Sequence, residues 1–192
     1  VVRATDSLED LARKVRLATI LGTIQSTYTK FPYLRKVWQR NTEEERLLGV
    51  SLTGIMDNPL MTTANKGLDK TLDHLRHVAV ETNAEWSDRL GIPASVAITC
   101  VKPSGTVSQL VDSSSGIHPR HSEYYIRTVH GDNKDPLTQF MKDQGIPNEP
   151  DVMKPDATTV FSFPVKSPNK AIVTSDLSAI SQLETWLTYQ RH

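Results

Sequence analysis

Cysteine is nearly missing from this chain of 192 residues, where it occurs once, as Cys100. One cysteine excludes an internal disulfide framework and a cysteine-rich metal site, and we predict no metal ligands in the chain. Proteins without disulfides are typical of reducing compartments, so the sequence predicts a cytoplasmic protein.

Net charge and long apolar runs are missing as well. Lys plus Arg number 22 and Asp plus Glu number 22, so the formal charge is zero. This balance argues against a general nucleic-acid binder and against a basic membrane-binding surface. No apolar run approaches the ~18 residues that a membrane span needs, and no signal-like segment opens the sequence. We therefore predict neither membrane nor nucleic acid as a partner. Because the sequence begins with Val1, we expect a piece of a longer protein.

The spacing of apolar residues predicts helices that alternate with strands. Helices are predicted over 7–29, 33–40, 66–90, 136–144 and 176–191, and the acidic run 43–45 is predicted to open another helix. Runs rich in β-branched residues predict strands over 47–56, 94–101, 123–129 and 158–165, the first ended by a turn at Asp57-Asn58-Pro59. This alternation favours parallel pairing with helical crossovers, which is the α/β class. Three such units do not close a barrel, so we expect the missing strands outside this segment.

The most informative stretch follows the strand at 94–101 and includes KPSGTVSQL over 102–110. A turn of small residues between a strand and a helix exposes backbone N–H groups at the positive end of the helix dipole. Glycine lets an anion approach the backbone closely, and hydroxyls add donors. The pattern favours a phosphate site formed by Ser104, Gly105, Thr106, Val107 and Ser108.

The same residues also fit a simpler structure. They do not form a P-loop, because the P-loop spacing is absent and Lys102 precedes the turn instead of following it. In an ordinary helix N-cap, Ser104 or Thr106 would accept hydrogen bonds from the first N–H groups of the helix. Composition alone favours the cap, because caps greatly outnumber anion sites.

A second polar loop follows, with the sequence DSSSGIHPR over 112–120. In one interpretation it faces the substrate, and His118, Arg120 and His121 bring positive charge close to the turn. In the other it is a surface loop with a solvated arginine. Composition without neighbouring residues favours the surface loop.

Three other features have ordinary structural explanations. Cys100 lies on a predicted strand, and since free cysteine is among the most buried residue types, we predict a core side chain. Tyr124 and Tyr125 face opposite ways on a strand, so we predict that one is packed and the other exposed. His74 and His77 lie three residues apart on a helix without a third ligand, which indicates a surface pair.

The segment 97–129, AITCVKPSGTVSQLVDSSSGIHPRHSEYYIRTV, resembles the phosphate-binding region of ribonucleotide reductase catalytic subunits. It is most similar to the class II, adenosylcobalamin-dependent ribonucleoside-triphosphate reductases of the monomeric type. Segments 46–59 and 158–168 resemble an earlier and a late barrel strand of these enzymes, and 186–192 resembles a helix in the later part of that barrel. The resemblance extends over essentially the whole chain, and PSGTVSQL and SSGIHPR are its specific motifs.

This resemblance implies a ten-stranded α/β barrel of two five-stranded halves, with the chain in the C-terminal half. It implies reduction of ribonucleotides to deoxyribonucleotides, the precursors for DNA synthesis, by thiyl-radical chemistry. Adenosylcobalamin is the implied cofactor, because cleavage of its cobalt–carbon bond generates the cysteine thiyl radical that abstracts the 3′ hydrogen of the ribose. A ribonucleoside triphosphate is the implied substrate, and a thioredoxin-type protein is the implied reductant of the full enzyme.

The turn is the one functional segment of the family whose residues can be matched individually to positions in this chain. Pro103 to Ser108 matches the turn that binds substrate phosphate in the family, so the resemblance favours the anion site over the cap. The family's thiyl cysteine lies in an N-P-C motif, which Cys100 does not match, and one cysteine cannot form the reducing pair. We therefore expect residues 1–192 to be a fragment of the barrel domain, without catalytic residues of its own, inactive alone, and flanked by missing parts at both ends.

Two alternatives stay open. One is a non-catalytic module that binds a phosphate or nucleotide, and the other is the barrel of a class I or class III reductase. Tyr124 and Tyr125 follow the turn too closely to match the radical-transfer pair of class I, which favours class II.

Overall fold

The structure is a computed structural model, and it describes residues 1–102, 104–105 and 107–192. The chain divides into two compact units. Residues 1–120 and 169–192 form the first, which we call the helical unit, and residues 121–168 form the second, the sheet unit.

The described residues form six α-helices and three β-strands. The helices are α1 (Leu8–Gln25), α2 (Lys36–Glu45), α3 (Leu68–Leu90), α4 (Val107–Leu110), α5 (Pro136–Asp143) and α6 (Ala179–Arg191). The strands are β1 (Tyr124–Asp132), β2 (Asn148–Pro150) and β3 (Thr158–Lys166). Short 3₁₀ helices lie at Ile55–Asp57, Pro59–Met61 and Thr174–Asp176.

Local capping explains the limits of the two long helices. Asp10 N donates to Ser7 Oγ over 3.2 Å, and Ser7 N donates to Asp10 Oδ2 over 3.1 Å, which is a reciprocal capping box. Helix α3 ends at Gly91, whose φ of 65° lies in the left-handed region that glycine adopts without strain. The predicted long helices are thereby confirmed, with shorter ends.

Helix α2 corrects one prediction. The acidic run 43–45 forms its last turn and does not open a new helix. The helix extends five residues beyond its predicted end at 40, because neither proline nor glycine interrupts the chain between Lys36 and Glu45.

The core of the helical unit lies where α1 packs against α3. Both helices carry buried residues at three- and four-residue spacing, which gives each helix one apolar face. Burial of one large apolar side chain contributes about 1.5–3 kcal/mol, so this cluster is the main source of the unit's stability. Its buried members are Val2, Leu11, Val15, Ile55, Met61, Leu68, Leu72, Leu75, Ala79, Ile117 and Tyr189.

A short parallel pair of extended segments confirms the α/β prediction in this unit. Leu48 N donates to Ala97 O and Val50 N donates to Ile98 O, each over 2.9 Å, and Val50 forms a parallel bridge with Thr99. Helix α3 is the crossover between the two segments, as expected of a strand–helix–strand unit. The predicted strand 47–56 is too long, because its end becomes the 3₁₀ helix Ile55–Asp57.

The sheet unit contradicts the prediction of parallel pairing throughout. Its strand order is β1-β3-β2, and both neighbouring pairs are antiparallel, with Tyr124 opposite Lys166 and Asp132 opposite Thr158. Residues 133–147, which include the eight-residue α5, connect β1 to β2, and both strands lie antiparallel beside β3 and not beside one another. Local periodicity predicts where strands lie but not which strands become neighbours, so the pairing could not be inferred from it. Thus the strands predicted at 123–129 and 158–165 exist, but their pairing was predicted wrongly.

Candidate functional site

The predicted site lies where the second extended segment of the parallel pair leads into α4. We call this stretch the 104–108 turn. Val107 N donates to Ser104 O over 3.2 Å, and the Ser108 hydroxyl donates to Gly105 O over 2.9 Å. Gly105 has a φ of 50°, which is left-handed. Backbone N–H groups on either side of a left-handed residue form a concave binding surface for anions.

Gly105 is the most open part of this turn. The residue is exposed, and a Cβ built on it would meet no atom within 4 Å. Its amide N–H makes no hydrogen bond within the described part of the chain. Among the described residues, the space beside the Gly105 Cα is therefore open.

The other predicted site residues have separate positions. Ser104 is half-buried, and its hydroxyl lies 3.2 Å from the hydroxyl of Ser115. Val107 is exposed at the start of α4. Ser108 is fully buried, so its hydroxyl stabilises the turn from inside. Thr106 lies outside the described residues.

Helix α4 is a single turn of four residues. A helix dipole sums over aligned peptide units, so a helix this short adds little charge at its start. An anion at this position would therefore depend on the local N–H groups and hydroxyls of the turn and not on a helix dipole.

The loop at 112–120 is held against a distant part of the chain. Gly54 N donates to Ser114 O over 3.0 Å, and Gly116 N donates to Thr53 Oγ1 over 2.8 Å. The loop therefore packs on the end of the first extended segment, which the sequence did not predict.

Arg120 is the largest correction to the sequence analysis. We predicted either a substrate-facing or a solvated arginine, but Arg120 is only 4% exposed. Its Nε and Nη2 donate to the two carboxylate oxygens of Asp57 over 3.0 and 2.9 Å, and its Nη1 donates to Asp112 Oδ1 over 2.8 Å. A buried guanidinium needs a carboxylate partner, and the partner lies 63 residues away in the sequence. The separation explains why no local pattern revealed it.

Asp57 is therefore more than a turn residue. It is 2% exposed and also accepts a hydrogen bond from Ser114 N over 2.9 Å. The neighbouring Asn58 does what the sequence predicted, because its side chain caps the next turn by accepting from Leu60 N over 2.9 Å. The buried contacts that the sequence did not reveal thus involve the first residue of the Asp57-Asn58-Pro59 turn.

Of the remaining candidates, Cys100 was predicted wrongly. Its side chain is exposed, because its position in an extended segment does not by itself bury it. His74 and His77 are exposed on α3, as predicted, and His77 pairs with Glu81 over 3.0 Å. In the part of the chain that the structure describes, no three His, Cys, Asp or Glu side chains are grouped to hold a metal ion.

The two tyrosines on β1 differ in exposure, in agreement with the alternation of a strand. Tyr124 is exposed, and Tyr125 is half-buried with its ring edge toward His121, at 5.9 Å between ring centres. His118 is exposed. None of these three side chains belongs to the hydrogen bonds of the 104–108 turn among the described residues.

A cavity of about 270 Å³ lies inside the helical unit, lined in part by Cys100 and Lys102. Tyr189 also lines it, and its hydroxyl donates to Met61 O over 2.6 Å; burial raises the pKa of this hydroxyl. His192 contacts Asp73 over 2.8 Å and Asp69 over 3.1 Å, and these carboxylates, Asp73 first, raise the pKa of His192. These contacts fix the end of α6 on α3.

Known proteins share this architecture. A crystal structure of a B12-dependent, class II ribonucleotide reductase superimposes with a TM-score of 0.76 over 94% of this chain and 29% of that chain, at 24% sequence identity. The helical and sheet elements described above therefore have the fold of one part of a class II reductase. No protein-family model matches the chain. None of the helices in the described residues has the length and apolarity needed to cross a membrane.

Sequence relatives show a more specific similarity. The adenosylcobalamin-dependent ribonucleoside-triphosphate reductase of Lactobacillus gasseri is 30% identical over 174 residues, which cover 76% of this chain and 23% of that protein. The enzyme of the same name from Euglena gracilis is 28% identical over 193 residues, covering 97% of this chain and 25% of its own length. The chain is homologous to the adenosylcobalamin-dependent ribonucleoside-triphosphate reductases, which confirms the resemblance seen in its sequence. It spans about a quarter of the length of these relatives.

Proposed function

We propose that this chain is part of an adenosylcobalamin-dependent ribonucleoside-triphosphate reductase, which makes deoxyribonucleotides by thiyl-radical chemistry. The observation that carries the proposal is the sequence similarity to enzymes of this name, which extends over up to 97% of the chain. We assign residues 1–192 to the barrel domain of the longer protein and expect the ten-stranded barrel to be completed by its other parts. The names of the relatives favour class II over class I and class III.

Within that enzyme, we assign the binding of substrate phosphate to the 104–108 turn. The exposure of Gly105, its left-handed backbone and the open space beside its Cα support this role. The Gly105 N–H and the Ser104 hydroxyl are the proposed donors, while the bond from Val107 N to Ser104 O and the buried Ser108 hydroxyl hold the geometry of the turn. Thr106 is a further proposed donor by the family resemblance.

Phosphate binding would act on the reaction by positioning. A phosphate held at the turn fixes the place of the attached ribose, and correct placement of a reacting group removes several kcal/mol from a barrier. We place the reacting cysteines in other parts of the protein, because Cys100 is the chain's single cysteine and does not match the thiyl motif. The 192-residue chain alone is expected to reduce nothing.

We assign adenosylcobalamin to the longer protein, because the relatives that the chain matches are named adenosylcobalamin-dependent. When bound there, the cofactor supplies the radical. A thioredoxin-type protein is the proposed reductant of the longer protein. Its location in the cytoplasm stays a prediction.

The first experiment tests the activity of the longer protein. Purified protein is incubated with a ribonucleoside triphosphate, adenosylcobalamin and a dithiol, and deoxyribonucleoside triphosphate is measured by chromatography. We expect product only when adenosylcobalamin is present. Product formed equally well without the cofactor, or no product under any condition, would contradict the proposal.

The second experiment tests the turn with Gly105→Ala in the longer protein. The new methyl group stands in the open space before the amide, so we expect KM for the nucleotide to rise about tenfold or more, which corresponds to the loss of one charge-assisted hydrogen bond of about 1.5–3 kcal/mol. Gly91→Ala is the matched control. Gly91 also has a positive φ and no atom within 4 Å of an added Cβ, but it lies at the end of α3.

Both substitutions introduce similar backbone strain, so a difference between them reports the ligand and not the fold. The expected pattern is a higher KM for Gly105→Ala and an unchanged KM for Gly91→Ala. An equal KM in the two variants would remove the phosphate role from the turn.

A further inference from the structure

Asp57 and Arg120 form a buried ion pair in the helical unit. Each side chain is 3% exposed, and the guanidinium binds the carboxylate through two parallel bonds. Ion pairs this deeply buried add little net stability compared with apolar residues of the same volume. A fixed geometry is what such a pair supplies best, because two parallel bonds define both distance and orientation.

The carboxylate of Asp57 in turn fixes one backbone amide in the loop at 112–120. Asp57 Oδ2 accepts from Ser114 N over 2.9 Å, while Ser114 O accepts from Gly54 N over 3.0 Å. Both the backbone N–H and the backbone C=O of Ser114 are thereby hydrogen-bonded, and the residue is 2% exposed.

The residues on either side of Ser114 contact the two ends of the turn. Ser113 N donates to Ser108 O over 2.9 Å, and the Ser115 hydroxyl lies 3.2 Å from the hydroxyl of Ser104. A continuous set of contacts therefore extends from the ion pair, through three consecutive serines, to the first and last residues of the 104–108 turn.

The connection between turn and loop is fixed as well. Asp112 has a φ of 45°, which is uncommon for a residue other than glycine. Its backbone O accepts from Arg3 Nη1 over 3.0 Å and from Arg120 Nη2 over 3.1 Å. Two arginines thus hold the residue at which the chain leaves the turn.

We infer that Asp57 and Arg120 are positioning residues for substrate phosphate: they set the geometry of the 104–108 turn through Ser113, Ser114 and Ser115. Neither side chain contacts the ligand. The inference rests on the proposed phosphate role of the turn and adds the elements that hold the turn in its binding geometry.

The test uses Asp57→Asn in the longer protein, which keeps the size of the side chain but removes its charge. Two constants are measured: KM for the ribonucleoside triphosphate and the inhibition constant of inorganic tripolyphosphate as a competitor. We expect both to rise about tenfold, as for the loss of roughly one charge-assisted hydrogen bond, while kcat changes less than about twofold.

Asn83→Ala is the control for a purely structural role. Asn83 is fully buried and hydrogen-bonded in the same unit, but its partners Thr23 and Ser95 do not contact the turn. The control is expected to lower thermal stability and to leave KM and the tripolyphosphate constant unchanged.

Unchanged constants in Asp57→Asn would overturn the inference. If that variant does not fold, Ser115→Ala decides by the same two constants, because it removes the contact with Ser104 and leaves the ion pair intact. Gly105→Ala separates the two proposals. If KM and the tripolyphosphate inhibition constant rise only in Gly105→Ala, the positioning role is refuted and the phosphate site is supported. If both constants are unchanged in Gly105→Ala, Asp57→Asn and Ser115→Ala, the phosphate site itself is refuted.

Discussion

Two buried polar clusters of the helical unit differ in charge and in what they connect. Around Asn83, a neutral amide donates to Thr23 over 3.0 Å and to Ser95 over 2.9 Å, and it accepts from Ser95 N over 2.9 Å. Around Asp57, a carboxylate binds a guanidinium and one backbone amide. The amide cluster joins two helices to the chain after α3, whereas the charged cluster joins two loops.

The contrast follows from the elements that each cluster joins. Helices α1 and α3 already pack through apolar side chains, so the amide has only to satisfy polar groups within that contact. The loops at 53–58 and 112–120 place Ile55 and Ile117 in the core but have little regular secondary structure, and a strong directional interaction holds them in register. Charge is therefore used where the backbone is irregular, and a neutral amide where packing already fixes the geometry.

The largest effect is expected for Arg120→Met. It leaves Asp57 buried without its partner, which costs about 3–5 kcal/mol, whereas the double variant Asp57→Leu, Arg120→Met is expected to lose less than the sum of the single losses. Urea titration of the longer protein measures these free energies of unfolding. The control is Arg16→Met, which removes a surface ion pair with Glu85. It is expected to lower the free energy of unfolding by about 1 kcal/mol or less. Additive losses would show that the two buried residues are not coupled.

An intermediate effect is expected for Asn83→Ala. The variant leaves the buried hydroxyl of Thr23 and the amide of Ser95 short of a partner, which costs about 1–3 kcal/mol. The same urea titration measures it. A loss as large as that of Arg120→Met would remove the distinction between the charged and the neutral cluster.

The smallest effect concerns a third, more exposed cluster, formed by His192 with Asp69 and Asp73. The carboxylates raise the folded-state pKa of His192 above its unfolded value, so protonation stabilises the folded state. This stabilisation is fully present below the unfolded pKa, near pH 6.5, and is lost as the pH rises through the folded pKa.

Thermal melting of the longer protein between pH 5 and pH 9 measures this contribution. His192→Gln is expected to lower Tm at acidic pH, by an amount equivalent to under about 1 kcal/mol, and to match the unsubstituted protein at the alkaline end. The exposed His74→Gln is the control. A Tm difference that stays constant across the range would show that the ion pairs of His192 do not contribute.

The helices were predictable because their signals are local. Ser7 with Asp10 marked the start of α1, Gly91 marked the end of α3, and the small residues after Lys102 marked the turn. Each of these signals lies within a few residues of the structure that it produces.

What the sequence did not reveal depends on contacts between distant residues. The partner of Arg120 lies before α3, and the antiparallel register of β1 and β3 depends on how the chain reverses between them. The exposure of Cys100 was missed for a related reason, since a strand has two faces and only the fold decides which one is covered.

The bonds from Thr53, Gly54 and Asp57 to the serine loop have a practical consequence for anyone who wishes to transplant the turn. A synthetic peptide of residues 98–111 contains every proposed donor and the bonds within the turn, but none of the residues outside it that hold it in place. A graft would have to include the segment at 53–57 as well as the loop at 112–120, although more than fifty residues separate them in the sequence.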